Sequence, residues 1–175
     1  NPAHAPGGSS SGSGAAVADY MVHGAFGTQT GGSVLRPASF CGTVGYKPTY
    51  NLINRSGLMF AAENLDTIGL LTRTVDDADL LMSVLLNRPR SAIIAPETKP
   101  KIGFCRTHHW DSALAETITA MEDSLKRLEQ AGAEIIDITL PESFAGLSTA
   151  RNALNDFERS RVMADLWQNE RDQLS

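Results

Sequence analysis

The sequence predicts an α/β fold, a mixed β-sheet core flanked by helices, and three observations carry that prediction. Residues 101 to 140 read as strand, helix and strand, with a crossover long enough to make the two strands a parallel pair. Residues 74 to 86, "TVDDADLLMSVLL", combine a helix start signal with an apolar side. Near the beginning two Gly/Ser runs, "GGSSSGSG" and "GTQTGGS", stand about a strand's length apart. Each leads into small or apolar residues, as tight turns inside a packed body do and tethers do not.

Taken in order, residues from about Ser10 to Met21 predict a short helix whose alanines allow close packing. "VHGAFGT", residues 22 to 28, reads as a brief strand interrupted by two glycines. The segment Ser33 to Phe40 turns as a helix that Pro37 keeps short or late-starting. "CGTVGYKPTYNLINRSG" has no stable period and reads as buried loop with a short strand. In residues 74 to 86 Thr74 is the expected cap, and Asp76 and Asp77 occupy the first turn, where the helix dipole favours negative charge. "APETKPK" marks a surface connection, and "KIGFC" is the next strand. Asp111 is the expected cap of a helix on which Leu114, Ile118, Met121, Leu125 and Leu128 recur at intervals of four and three. Those five form one stripe, expected to be buried against the sheet. That helix closes near Gly132, and "EIIDITLP" begins another strand. Leu154, Phe157 and, after a phase drift, Val162 and Leu166 give the last segment a helical reading. No repeat and no domain boundary stand out, so residues 1 to 175 read as part of one continuous body.

A chain of 175 residues, 42% of them hydrophobic, can bury a real core. The net charge of -5, from 15 Lys/Arg against 20 Asp/Glu, and the absence of basic clusters argue against a nucleic-acid partner. "RPR" at residues 88 to 90 reads as a solvated loop. No run approaches the ~18 apolar residues of a membrane span, and no signal peptide opens the chain. The expectation is a cytoplasmic protein without a membrane partner. The opening "NPAHAP" lacks an initiator methionine and reads as an internal or processed segment. Cys41 and Cys105 are far apart and are expected to be reduced thiols. His108 and His109 beside Cys105 lack further ligands at metal-binding spacing, so neither a metal nor a cofactor is expected. The sequon at Asn54, Arg55 and Ser56 is a chance match without a secretory context.

The chemistry points to the glycine turns. Thr30, Gly31, Gly32 and Ser33 offer consecutive backbone N–H groups that a curled chain can aim at one point, and a serine ending such a turn can attack a carbonyl beside them. The turn lacks the lysine of a phosphate loop and the period of a dinucleotide fingerprint. By itself a Gly-Gly-Ser turn is more often structural than catalytic. Ser33 needs a base, and there is no "GxSxG" elbow; His4, His23, His108 and His109 have no site-like context. Serine assisted by serine and lysine remains, which returns attention to Ser9 and Ser10.

"GGSSSGSGAAVA", "GTQTGGSVLRPASFCGTVGYKPTY" and "NLDTIGLLTRTVDDADLL", in that order, resemble the amidase signature family of serine hydrolases. The resemblance covers essentially the whole chain, more weakly in its last third. It implies the amidase signature fold, incomplete in this chain, with residues 1 to 175 as the central part of one domain. A Ser, cis-Ser, Lys triad is implied, with Ser33 as nucleophile, Ser9 as the cis-serine proton relay 24 residues earlier, and a cis peptide between Gly8 and Ser9. The implied oxyanion hole is the backbone of Thr30, Gly31, Gly32 and Ser33, with Ser10, Thr28 and Gln29 in support. The family's catalytic lysine lies upstream of the first serine run, where this sequence has none. Lys47 belongs to the "KPT" motif, and Lys99, Lys101 and Lys126 to a strand approach and a helix surface.

In the commonest family version an arginine stands two residues after the nucleophile and an aspartate precedes "TGG". Here Arg36 stands three after Ser33, and Gln29 takes the acidic place. That departure brings the chain nearer to stand-alone amidases than to the A-type component of an amidotransferase. Arg36 is a candidate substrate contact, since a matching arginine holds a carboxylate in some small-acid amidases, and scaffold is its other reading. Asn51 replaces a glycine and is expected at positive φ. The partners implied are a small-molecule amide substrate, the remaining segments of the same enzyme, and a homodimer mate. The alternatives are the A-type subunit of an aminoacyl-tRNA amidotransferase and a non-catalytic fold fragment.

Overall fold

Small side chains build the first helix, α1 (Ser11–Ala18). Their lack of bulk brings it against the second, α2 (Leu35–Cys41): a Cβ on Gly14 would lie 3.1 Å from Pro37 Cβ and 3.2 Å from Pro37 O. Pro37 is tolerated because it falls in the first turn of α2, where backbone N–H groups have no intrahelical acceptor. Between the helices runs β1 (Gly24–Gln29), and after them β2 (Val44–Tyr46), β3 (Thr67–Thr72) and α3 (Val75–Leu85). The computed structural model describes residues 1–90 and 98–173. Residues 95–97 of the expected surface connection lie outside them. The chain divides into two units, Asn1–Ser91 with Arg151–Ser175, and Ala92–Ala150.

In the first unit β3 is the middle strand of an antiparallel sheet of order β1-β3-β2, with Leu70 opposite both Phe26 and Tyr46. Successive side chains of a strand point to opposite faces, so Leu70 and Leu71 feed two separate cores. Leu71 packs with Val17, Val34 and Ala38 beneath α1 and α2, while Leu70 packs with Ile53 and Met82 beneath α3. Thr74 caps α3 as expected, its Oγ1 accepting the N–H of Asp77 at 3.1 Å. Asn51 has φ 61°, the left-handed conformation expected of it. Helix α5 (Leu147–Val162) buries Glu158, whose carboxylate accepts both the N–H and the side-chain amide of Asn64. The expected phase drift in the last segment corresponds to a break at Met163, after which α6 (Ala164–Asn169) begins.

The second unit contains β4 (Lys101–Cys105), α4 (Ala115–Gln130) and β5 (Glu134–Ile138), and β4 and β5 pair in parallel as expected, Lys101 opposite Glu134 and Cys105 opposite Ile138. Phe104 is buried, with Trp110 edge-on to it at 5.5 Å. Two expectations are corrected here. Asp111 lies in a 3-10 turn, Trp110–Ser112, and α4 begins after Leu114, whose side chain cannot cap. The apolar stripe is not buried: Leu114 is 71% exposed and Met121 41%, with only Ile118 and Leu125 half-buried. Among the described residues the sheet of this unit has two strands, too few to cover Leu114 at the start of α4 and four further positions along the sixteen-residue helix.

Candidate active site

The two serine runs meet at the end of β1. Ser10 is the joint: its Oγ accepts the N–H of Thr28 at 3.1 Å and donates to Thr28 O at 3.3 Å, and its own N–H donates to Ser33 O at 3.2 Å. Ser13 Oγ donates to Phe26 O at 2.7 Å, one step further down the strand. This approach requires glycine at position 27, where a Cβ would lie 2.7 Å from Ser10 Oγ and 2.9 Å from Leu71 Cδ1. The opening run is therefore fastened to the sheet at Ser10 and Ser13, which a Gly/Ser linker would not be. The Gly8–Ser9 peptide is cis, as expected.

The second run is shaped by two buried polar side chains. Gln29, the last residue of β1, is 5% exposed, and its Oε1 accepts the N–H groups of both Val34 and Leu35 at 3.0 Å. That double acceptor caps α2 and turns residues 30–33 back over the strand end. Thr30 Oγ1 donates to Asp66 Oδ1, and Asp66 Oδ2 accepts the N–H groups of Ala61 at 2.6 Å and Ala62 at 3.1 Å. Among the described residues the N–H groups of Gly31, Gly32 and Ser33 have no acceptor.

Ser33 is half-buried and Ser9 exposed. The bonds joining their runs come from Ser10, not from the two hydroxyls themselves, and no lysine is hydrogen-bonded to either among the described residues. Lys47 Nζ instead donates to Pro48 O at 2.7 Å. Ser9 and Ser10 line an open cavity of about 550 Å³ whose walls include Thr28 and the apolar Phe26, Ile53, Leu58 and Ile68. That volume suits a small organic substrate. Arg36, in the first turn of α2, is exposed, and its guanidinium lies over the turn, Nη2 3.5 Å from where a Cβ of Gly32 would be. Among the described residues no group of three or more His, Cys, Asp or Glu is placed to hold a metal ion.

Two residues of this site are not singled out by the sequence. Asp66 stands inside the motif "NLDTIGLL", and an acidic residue entering an apolar strand is the available signal. Arg151, on α5, places Nη1 2.7 Å from the Cβ position of Gly31, a contact that sequence spacing does not announce.

The model of the amidase family matches residues 1–174. The chain belongs to the amidase signature family. Relatives include the A-type subunit of the glutamyl-tRNA(Gln) amidotransferase from Salinibacter ruber, 38% identical over 85% of this chain and 32% of its own length. The protein of the same name from Brachyspira hyodysenteriae is 40% identical over 90% of this chain and 36% of its own length. A solved structure described as an amidase superposes with a TM-score of 0.88 at 30% identity, covering all of this chain and 39% of that one. This amidase signature chain thus spans about a third of the length of the curated relatives it matches. The fold is the α/β fold of that family, sheets flanked by helices, and the family is one of hydrolases that break carbon-nitrogen amide bonds. No described helix is long and apolar enough to cross a membrane.

The relatives correct one expectation. The exclusion of a nucleic-acid partner does not stand beside proteins whose name includes tRNA. Net acidity speaks only against a phosphate footprint on these residues. It carries no information about a nucleic acid held by other parts of a longer protein or complex.

Proposed function

We propose that the amidase signature chain cleaves a carbon-nitrogen amide bond through an acyl-enzyme on Ser33. The observation that carries this reading is the row of unpartnered N–H groups at Gly31, Gly32 and Ser33, held at the strand end by Gln29 and Asp66. Ser33 Oγ attacks the amide carbon, and the carbonyl oxygen, now negative, is received by those donors. The proton of Ser33 passes to Ser9 as Ser9 gives its own to a lysine outside these residues, and the relay reverses to protonate the departing nitrogen as the C–N bond breaks. Water then enters, cleaves the ester and restores Ser33. Ser9 and Ser33 need not be hydrogen-bonded without substrate, since such contacts commonly tighten only in the complex.

Of the two settings for this chemistry, the A-type subunit of an aminoacyl-tRNA amidotransferase has the better support. The sequence relatives at 38% and 40% identity bear that name, against 30% for the solved amidase. Gln29 does not weigh against it, because the amide oxygen supplies both acceptor contacts at the place where the family more often has an aspartate. In that setting the nitrogen released at Ser33 passes to an acylated tRNA.

A fluorophosphonate probe on the whole protein should label Ser33. Ser33→Ala should abolish both labelling and amide cleavage, and Ser9→Ala should depress turnover at least about a hundredfold more than Ser11→Ala. Labelling at another serine, or equal effects of the Ser9 and Ser11 variants, overturns the assignment. Co-purifying partner proteins and glutamine-dependent amidation of glutamyl-tRNA separate the amidotransferase from a stand-alone amidase.

A further inference from the structure

Residues 47–66, between β2 and β3, form neither strand nor helix, and one side chain ties the beginning of that segment to its end. Arg55 Nε donates to Asn51 Oδ1 at 3.2 Å and Nη2 to the Tyr50 hydroxyl at 2.9 Å, while Nη1 donates to Glu63 O at 2.6 Å and Asp66 O at 3.1 Å. The guanidinium lies over the rings of Tyr50 and Phe60, 4.5 and 5.0 Å from their centroids. The Tyr50 hydroxyl in turn donates to Glu63 O at 2.9 Å. Asn51, at φ 61°, supplies in its Oδ1 an acceptor that a glycine at this turn would lack. All of these acceptors are neutral, and among the described residues Arg55 has no ion-pair partner. The segment therefore uses the planar set of donors on this arginine rather than a charge pair.

We infer that Arg55 is a positioning residue for the turn that carries Ser33 and acts on it through Asp66, an inference that rests on the reading of Ser33 as nucleophile. The carboxylate of Asp66 accepts the Thr30 hydroxyl at the start of that turn, so the place of the turn depends on the place of the Asp66 backbone. On one side that backbone runs into β3, whose first residue, Thr67, stands opposite Gln29. On the other side no strand or helix holds it. Arg55 does so instead, because Nη1 fixes Asp66 O together with the turn at Glu63 that leads into it. Released from Arg55, Asp66 draws Thr30, and with it the N–H groups of Gly31, Gly32 and Ser33, away from the place where the oxyanion forms. The competing role concerns the middle of the segment. Ile53, Asn54 and Leu58, which lie between Tyr50 and Phe60, line the cavity beside Ser9. An arginine that only held this wall would alter binding, whereas one that holds Asp66 alters the rate of the step at Ser33.

The test uses a fluorophosphonate on the whole protein, so that no knowledge of the amide substrate is needed, and follows both the final extent of labelling at Ser33 and its rate. Arg55→Ala should leave the extent per folded protein unchanged and lower the limiting rate of labelling about tenfold to a hundredfold, with the half-saturating probe concentration within about threefold of its original value. Arg55→Lys keeps the stem and the charge and decides the matter where the alanine variant does not fold. It should remain at least about fivefold slow, because one ammonium cannot span the acceptors that the planar group spans. Action through Asp66 is read from the double variant: Arg55→Ala should slow Asp66→Asn by no more than about threefold further. An unchanged rate in Arg55→Ala, a change confined to the half-saturating concentration, full rate in Arg55→Lys, or losses that multiply in the double variant overturns the inference and leaves the Ser33 reading intact. Absence of label at Ser33 in a protein that cleaves amides removes the Ser33 reading itself.

Discussion

Replacing Gln29 with leucine puts a branched apolar side chain in its place and removes the acceptor on which the Ser33 turn is folded. Its Oε1 accepts two N–H groups, those of Val34 and Leu35, each at 3.0 Å. The two losses differ in cost. Val34 is 0% exposed, so its N–H would remain buried without a partner, at about 1–3 kcal/mol. Leu35 is 47% exposed, so water can replace its lost acceptor and only about 0.5 kcal/mol is expected there. The sum is roughly 1.5–3.5 kcal/mol, read as a shift in urea midpoint at constant m value. Gln29→Glu keeps an acceptor oxygen at the start of α2, where negative charge is favoured, and should cost less than the leucine variant despite the burial of the group. Loss of the cap also frees Ser33, the residue immediately before Val34, so amide turnover should fall in Gln29→Leu beyond any loss of folded protein. A stability change within about 0.5 kcal/mol of zero for Gln29→Leu, or a Gln29→Glu variant worse than it, would refute the reasoning.

The same logic gives two further expectations. Asp66→Asn retains one carbonyl oxygen for three donors, those of Thr30, Ala61 and Ala62, and should destabilise by about 1–3 kcal/mol in urea titration, because Asp66 is 3% exposed and water cannot substitute. Leu71→Ala empties the centre of the cluster formed with Val17, Val34 and Ala38 and should cost about 2–5 kcal/mol in the same assay.

What the sequence discloses follows from how local each feature is. Helix α3 is readable because its cap, its acidic first turn and its apolar side all lie within a dozen adjoining residues. Strand β3 does not stand out, although it is the middle of the main sheet. "TIGLLT" is buried on both faces through nearly its whole length, and a strand buried on both faces shows no alternation. The stripe on α4 shows the reverse failing. Periodicity tells which side of a helix is apolar and says nothing of how much sheet there is to cover it, so Leu114 and Met121 are exposed where burial is expected. At the site, Ser9, Ser33 and the glycines are legible because they form contiguous motifs. Asp66 and Arg151 reach that turn only through the folded chain, from 36 residues away in the case of Asp66 and Thr30.

The division of labour between the neighbouring serines is the part of the site that the folded chain adds to the motif. Ser10 serves the structure: its hydroxyl proton is committed to Thr28 O, its oxygen accepts the N–H of Thr28, and its own N–H is committed to Ser33 O. Ser9, one residue earlier, is exposed and faces the cavity with its hydroxyl uncommitted. A proton relay needs both things at once, a hydroxyl free to exchange hydrogen bonds and a backbone that cannot drift. Adjacent residues can supply them only by separating the roles. Gly27 makes that separation possible by letting Ser10 sit against the strand, and Gln29 extends the same arrangement to the other run by holding α2 at the residue after Ser33. The polar side chains buried around this turn are thus spent on fixing the backbone, while among the described residues the hydroxyls of Ser9 and Ser33 and the N–H groups of Gly31 and Gly32 make no hydrogen bond, as the proposed relay requires.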